Sequence, residues 1–128
     1  MKRVTGIGGI FFKAKDPSAL QDWYRRHLGI DVQAWGGTAF SWSDSHGTPT
    51  GGTTIWSIGP ENDPSYAPST TTFRINYRVE DARALAELLR EEGCDVADQV
   101  EESEFGIFAW VTDPEGNKVE LWQPPMGQ

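Results

Sequence analysis

One order of elements, strand, helix and three short strands, is legible twice in this chain, and that repetition restricts the fold more than any other feature. Residues 7–14 carry β-branched and aromatic side chains, and Asp16-Pro17 then supplies a helix start. Asp offers its carboxylate to free N–H groups there, and Pro fits the first turn. Leu20, Trp23, Tyr24 and Leu28 recur at helical spacing up to Gly29, a suitable C-terminal stop. Strands are predicted over 31–35, 39–42 and 53–58, with a Gly36-Gly37 turn and a Gly/Pro/Thr-rich loop over 45–52. The second half repeats this order, with strand 73–79, helix 81–92, a stop at Gly93, and strands near 96–100, 105–111 and 118–122. Asp16, Ala19 and Leu20 match Asp81, Ala84 and Leu85 at an offset of 65, while Gly29, Asp31, Val32, Gly52 and Pro60 match Gly93, Asp95, Val96, Gly116 and Pro124 at 64. The expected class is therefore α+β: one domain over 1–128, with repeat one spanning about 4–60, a linker 61–72, and repeat two about 73–124. Prolines at 60, 64 and 68 mark the connector 59–72, from which Tyr66 can fold back. That segment and the loop 45–52 are the parts whose conformation the sequence leaves open.

Charge narrows the partners. Lys and Arg total 11 against 19 Asp and Glu, a formal charge of −8, which opposes nucleic acid because phosphate contacts need clustered cations. The longest apolar runs, such as Ile10-Phe11-Phe12, are far shorter than the ~20 residues that cross a bilayer, and Met-Lys-Arg-Val-Thr-Gly lacks a signal-peptide core. A soluble, cytoplasmic protein without a membrane partner is expected. The one cysteine, Cys94, has no thiol partner for a disulfide or a redox pair and reads as a half-buried structural residue. Six tryptophans exceed what packing a domain of 128 residues requires, which points to an aromatic-lined cleft or a subunit interface.

Three stretches carry a resemblance to a known group: Asp16-Pro-Ser-Ala-Leu-Gln-Asp-Trp-Tyr-Arg-Arg-His-Leu-Gly-Ile, Val79-Glu-Asp-Ala-Arg-Ala-Leu, and Asp113-Pro-Glu-Gly-Asn-Lys-Val-Glu-Leu-Trp-Gln-Pro. With them the chain resembles the glyoxalase/bleomycin-resistance/extradiol-dioxygenase group, the vicinal oxygen chelate superfamily, over nearly its whole length. The resemblance implies two βαβββ modules forming a half-barrel pair around a cleft, assembled as a homodimer.

Strand alternation sorts the cleft side chains. Ile75, Tyr77 and Val79 suit the helix side, leaving Arg74, Asn76 and Arg78 for the cleft; in the first copy Ile10, Phe12 and Ala14 oppose Gly9, Phe11 and Lys13. In the last strand Lys118, Glu120 and Trp122 face the cleft, with Thr54, Trp56 and Ile58 as their counterparts in the first copy, and Phe108 and Trp110 joining them. The resemblance implies a divalent ion held by one residue from the first and one from the last strand of each copy. Those positions read Gly9, Trp56, Arg74 and Glu120, of which Glu120 alone can coordinate. His27 on the helix and His46 in a loop do not restore the site. No metal and no cofactor are expected.

The remaining residues suggest a ligand cleft: Phe11, Trp56, Phe108, Trp110 and Trp122 to stack on a flat or apolar molecule, Lys13, Arg74 and Arg78 to meet an anionic edge, and Asn76 beside them. Glu120 has two readings, a satisfied ion pair with Arg74 or a general base. The leading expectation is a metal-independent homodimer that binds a small molecule, an antibiotic or a metabolite. The alternatives are an isomerase or lyase acting on a small carbonyl compound with Glu120 as base, and an accessory domain docking a protein through exposed tryptophans.

Overall fold

The computed structural model describes residues 3–126. The first module consists of β1 (Val4–Ala14), α1 (Pro17–Leu28), β2 (Gly37–Ser43) and β3 (Pro49–Pro60). The second consists of β4 (Phe73–Val79), α2 (Ala82–Glu91), β5 (Asp95–Val96), β6 (Glu101–Ser103), β7 (Gly106–Thr112) and β8 (Lys118–Gln123). Both helices start and stop as their sequences dictate. Asp16 and Asp81 accept from the amides of Ala19 and Ala84, and Gly29 closes α1 in the left-handed region at φ 67°. One sheet runs in the order β2-β3-β1-β4-β8-β7-β5, with β6 paired to β7. Within each module the first and last strands are parallel, and the modules join through the antiparallel pair β1–β4.

Two clusters fill the helix side of the sheet. Val79, Leu85, Ala86, Ala109 and Leu121 form one under α2, and Ala14, Val32, Trp56 and Ile58 form the other under α1. The opposite, concave face carries a polar and aromatic row that includes Asn76, Glu120 and Trp110.

The first module differs from expectation in two places. Residues 31–35 form a connector and not a strand: Gln33 N–H donates to Gly37 C=O, Gly36 N–H to Gln33 C=O, and buried Val32 anchors the segment to the core. The expected loop 45–52 is mostly hairpin. Asp44 and Gly47 close a tight turn, with Asp44 N–H donating to Thr48 C=O at 2.9 Å, and β3 begins at Pro49. That turn repeats the one at Asp113 and Gly116, where Asp113 N–H donates to Asn117 C=O at 2.9 Å. In each, the Asp carboxylate also caps amides two and four residues on. β3, with 12 residues, is twice as long as β8 with 6, so the first hairpin projects beyond the second. Cys94 is exposed, not half-buried.

Candidate functional site

Register decides which side chains meet on the concave face. In the β1–β4 pair Gly9 lies opposite Asn76 and Phe11 opposite Arg74, so exchanging the modules maps Gly9 onto Arg74 and Phe11 onto Asn76. In the parallel β4–β8 pair Asn76 stands beside Glu120 and Arg78 beside Trp122; across the β7–β8 hairpin Trp110 faces Glu120 and Phe108 faces Trp122. Lateral neighbours in a sheet share a face, and two layers result. One contains Asn76, Glu120 and Trp110, the other Arg78, Trp122 and Phe108.

Glu120 is the fixed point of the first layer and is 6% exposed. Its Oε1 accepts from Asn76 Nδ2 at 2.6 Å, its Oε2 accepts from Trp110 Nε1 at 2.9 Å, and Arg74 Nη2 lies 4.0 Å from Oε2. A carboxylate this buried is tolerated because donors and a cation surround it. Asn76 Oδ1 and Arg74 Nε are buried without hydrogen-bond partners.

Aromatic rings join the two layers. The Phe108 ring lies nearly parallel to both Trp110 and Trp122, with centroids 6.5 and 6.4 Å away and interplanar angles of 16° and 18°. Trp122 donates its Nε1–H to Phe105 C=O and leans over Gly8, where a Cβ would stand 2.8 Å from the indole and 2.3 Å from Asn76 Oδ1. Only glycine allows that approach. Arg78 sits 5.4 Å from the ring of Trp42, which packs on Gly6 and Gly52. Beyond Arg78 an open cavity of about 630 Å³ is lined by Ser103, Gly106 and Gln123.

The other end is strapped by the connector. A short helical turn at Pro64–Tyr66 buries Tyr66, with Lys13 Nζ 4.7 Å and the Arg74 guanidinium 4.6 Å from its ring. Burial raises the Tyr66 phenol above its ordinary pKa, while Arg74 opposes that rise. Ser65 C=O accepts from both Arg74 Nη1 and Lys118 Nζ. Burial lowers the Lys118 pKa, and the neighbouring Arg74 charge lowers it further.

Of the residues singled out in the sequence, Phe11, Lys13, Arg74, Asn76, Arg78, Phe108, Trp110, Glu120 and Trp122 are gathered on this face and its strapped end. Trp56 is not. It pairs in register with Ile10, shares that residue's helix-side face, and packs 5.7 Å from Phe12 and 5.2 Å from Tyr24. The expected alignment of Trp56 with Glu120 is one residue out, and one residue moves a side chain to the other face. The counterpart of Glu120 is Ser57, beside Phe11. Sequence reasoning missed Trp42. Its nearness to Gly52 in the chain was the available signal, hidden by reading that stretch as loop.

The glyoxalase-like domain family matches residues 9–122, the span from β1 to β8 that builds both layers. The chain belongs to this family. Among solved structures, this glyoxalase-like domain is similar to methylmalonyl-CoA epimerase from Mycobacterium tuberculosis, at 17% identity and TM-score 0.66, over 98% of this chain and 91% of that one. A Streptomyces coelicolor methylmalonyl-CoA epimerase variant in complex with 2-nitronate-propionyl-CoA shows 20% identity and TM-score 0.69, over 98% of both chains. A glyoxalase/bleomycin resistance protein/dioxygenase superfamily member from Vibrio splendidus shows 14% identity and TM-score 0.58, over 91% of this chain and 97% of that one. These likenesses establish the α+β fold. No curated protein matches the chain in sequence.

The divalent ion implied by the resemblance does not fit the residues here. Gly9 has no donor atom, Ser57 takes the place assigned to Trp56, Arg74 brings a cation, and both Glu120 oxygens already accept hydrogen bonds. Among the described residues no group of three or more His, Cys, Asp or Glu could hold a metal. No helix among them is long and apolar enough to cross a membrane.

Proposed function

We propose that this glyoxalase-like domain binds a small planar molecule, a metabolite or an antibiotic, on its concave face without a metal ion. The observation that carries this reading is the near-parallel column of Trp110, Phe108 and Trp122 beside the row Arg74, Asn76 and Arg78. Stacked rings present flat apolar surface at little entropic cost, and the guanidinium groups supply polar orientation. Glu120 serves as anchor for Trp110 and Asn76, because taking a proton from a substrate requires one of its oxygens to release a bound donor. Titration of tryptophan fluorescence with naphthalene and quinoline compounds tests the proposal. A saturable change that weakens at least tenfold in Phe108→Ala is expected. No saturable change overturns it, and so does turnover of a small carbonyl compound that Glu120→Gln abolishes, which would favour an isomerase or lyase.

The same reading makes the protein a homodimer. β2 is a sheet edge carrying exposed Phe40, and Trp35 beside it is 55% exposed, so pairing around a two-fold axis would cover edge and rings together. Light scattering should give twice the chain mass of 14.2 kDa, and a monomer at micromolar concentration would refute it.

A further inference from the structure

β4 and β8 pair in register from Asn76–Glu120 to Arg78–Trp122, and toward their N-terminal ends the strands part around a cavity of about 340 Å³. Its apolar wall is Phe73, Ile75, Tyr77 and Val119, on the helix side of the sheet and away from the aromatic column. Phe73 is 56% and Ile75 39% exposed, so this wall lacks the cover that the rest of the helix side receives. Two cations stand at the rim.

Lys118 makes no salt bridge among the described residues; its Nζ donates to Ser65 C=O at 2.8 Å and lies 5.5 Å from the Trp110 ring. Arg74 gives one nitrogen to Glu120 at 4.0 Å and another to Ser65 C=O at 3.1 Å, and its Nε is buried without a partner. The acid lining the cavity, Asp113, is committed elsewhere. Its Oδ1 accepts from the amides of Glu115 and Asn117 and its Oδ2 from the Asn117 side chain. A neutral carbonyl therefore bridges two partly buried cations, where an ionised oxygen would form shorter and stronger charge-assisted bonds. The volume lies near the lower end of the range for small-molecule sites, about 300–1,000 Å³.

We propose that the fork between β4 and β8 is a second binding site, for a small hydrophobic monocarboxylate whose apolar body lies against Ile75 and Val119 and whose carboxylate bridges Lys118 and Arg74. The ligand oxygen takes the hydrogen bonds that Ser65 C=O now receives, and the strap over Tyr66 shifts to admit it. This site shares Arg74 with the concave-face reading, and its Lys118 lies against Trp110, but the body of the ligand rests on the other face of the sheet, against Ile75 and not Phe108, so the two readings fail in different variants.

NMR and calorimetric titrations with 3-phenylpropionate, and with 3-phenylpropan-1-ol as its neutral counterpart, test the proposal on the full chain. Expected is one site per chain, at least tenfold tighter for the acid than for the alcohol. Lys118→Met should weaken the acid at least tenfold and leave the alcohol unchanged, Ile75→Gln should weaken both, and Phe108→Ala should change neither by more than twofold. Circular dichroism confirms that each variant is folded, and Lys118→Met, at a partly exposed rim position, serves if Ile75→Gln is not. Equal affinity for acid and alcohol, acid binding indifferent to Lys118→Met, or no saturable binding in the millimolar range overturns the proposal. Loss of binding in Phe108→Ala alone also overturns it, by moving the ligand to the concave face.

Discussion

Ile10 and Trp56 stand in register on neighbouring parallel strands, and this pairing places the indole under α1, on the face opposite Glu120. At 7% exposure, with Phe12 and Tyr24 edge-on against it, Trp56 is a keystone of the first module's core. Trp56→Ala should destabilise the protein by about 3–5 kcal/mol, the range for deleting a large buried ring. Urea denaturation measures this. Binding of a planar probe by the folded variant should stay within twofold of wild type, whereas a tryptophan lining the cleft would give the reverse pattern.

The same one-residue difference shows where sequence reading succeeds and where it stops. In the second module β4, α2, β7 and β8 lie where the sequence places them, because Asp113-Pro-Glu-Gly marks the β7–β8 turn, whereas the strand expected near 96–100 is only the pair Asp95–Val96, followed by a separate β6. In the first module the identities Gly52/Gly116 and Pro60/Pro124 suggest an offset of 64, but the glycines do different work. Gly116 closes a turn as Gly47 does, while Gly52 lies within β3 against the Trp42 ring. The hairpin extends at its tip, and a local match cannot see that the extra length lies between turn and sheet centre. Spacing at the module starts, 65 residues from Gly9 to Arg74, was preserved because both strands pair directly across the centre. The Glu120 network needed two facts absent from the sequence: Trp110 opposite Glu120, and the direction of the Asn76 amide.

Metal content follows from the donors around Glu120. With Arg74 4.0 Å from one carboxylate oxygen and Asn76 and Trp110 already donating, a divalent ion would have to displace two hydrogen bonds beside a fixed cation. Protein purified without chelator should carry less than about one tenth of an equivalent of zinc, nickel, iron or manganese by elemental analysis. A stoichiometric ion lost on Glu120→Gln would refute the assignment of Glu120 as an anchor.

Three acids are held below their ordinary pKa, Glu92 by exposed Arg3 and Asp63 and Asp113 by hydrogen bonds within their turns. The Asn117 side chain, followed by backbone amides of the turn, holds Asp113 below its ordinary pKa. Burial works against ionised Asp63, but hydrogen bonds from Ser65 and the charges of Arg74 and Lys13 together keep it below its ordinary value. Because the pKa values of both aspartates are lower folded than unfolded, their contribution is complete above the unfolded pKa of about 3.9 and is lost as pH falls through the folded values. Acid unfolding followed by circular dichroism should therefore steepen below about pH 4. Asp113→Asn should be less stable at pH 7 and show a shallower loss in that window; an unchanged acid profile would show that the turn contributes nothing there.

Glu120 itself offers the sharpest comparison, between its amide and its hydrocarbon replacement. In Glu120→Gln the side chain keeps its shape and one acceptor, which Trp110 Nε1–H can use, since the indole has no other way to present itself. The new NH₂ then needs an acceptor, and Asn76 can turn its amide to offer the Oδ1 that now lacks a partner. What is lost is the charge beside Arg74 and the strength of two charge-assisted bonds, so about 1–3 kcal/mol of destabilisation is expected. Glu120→Leu takes the acceptor from Asn76 Nδ2 and Trp110 Nε1 and the counter-charge from Arg74, which keeps only its bonds to Ser65, and about 3–5 kcal/mol is expected from breaking one side of a buried pair. The order is the test: chemical denaturation should rank wild type above Gln and Gln above Leu, with Trp110 fluorescence altered in both variants. If Gln and Leu are equally stable, the buried carboxylate does not hold the layer together, and its burial beside Arg74 must instead be explained by a ligand or substrate that it meets directly.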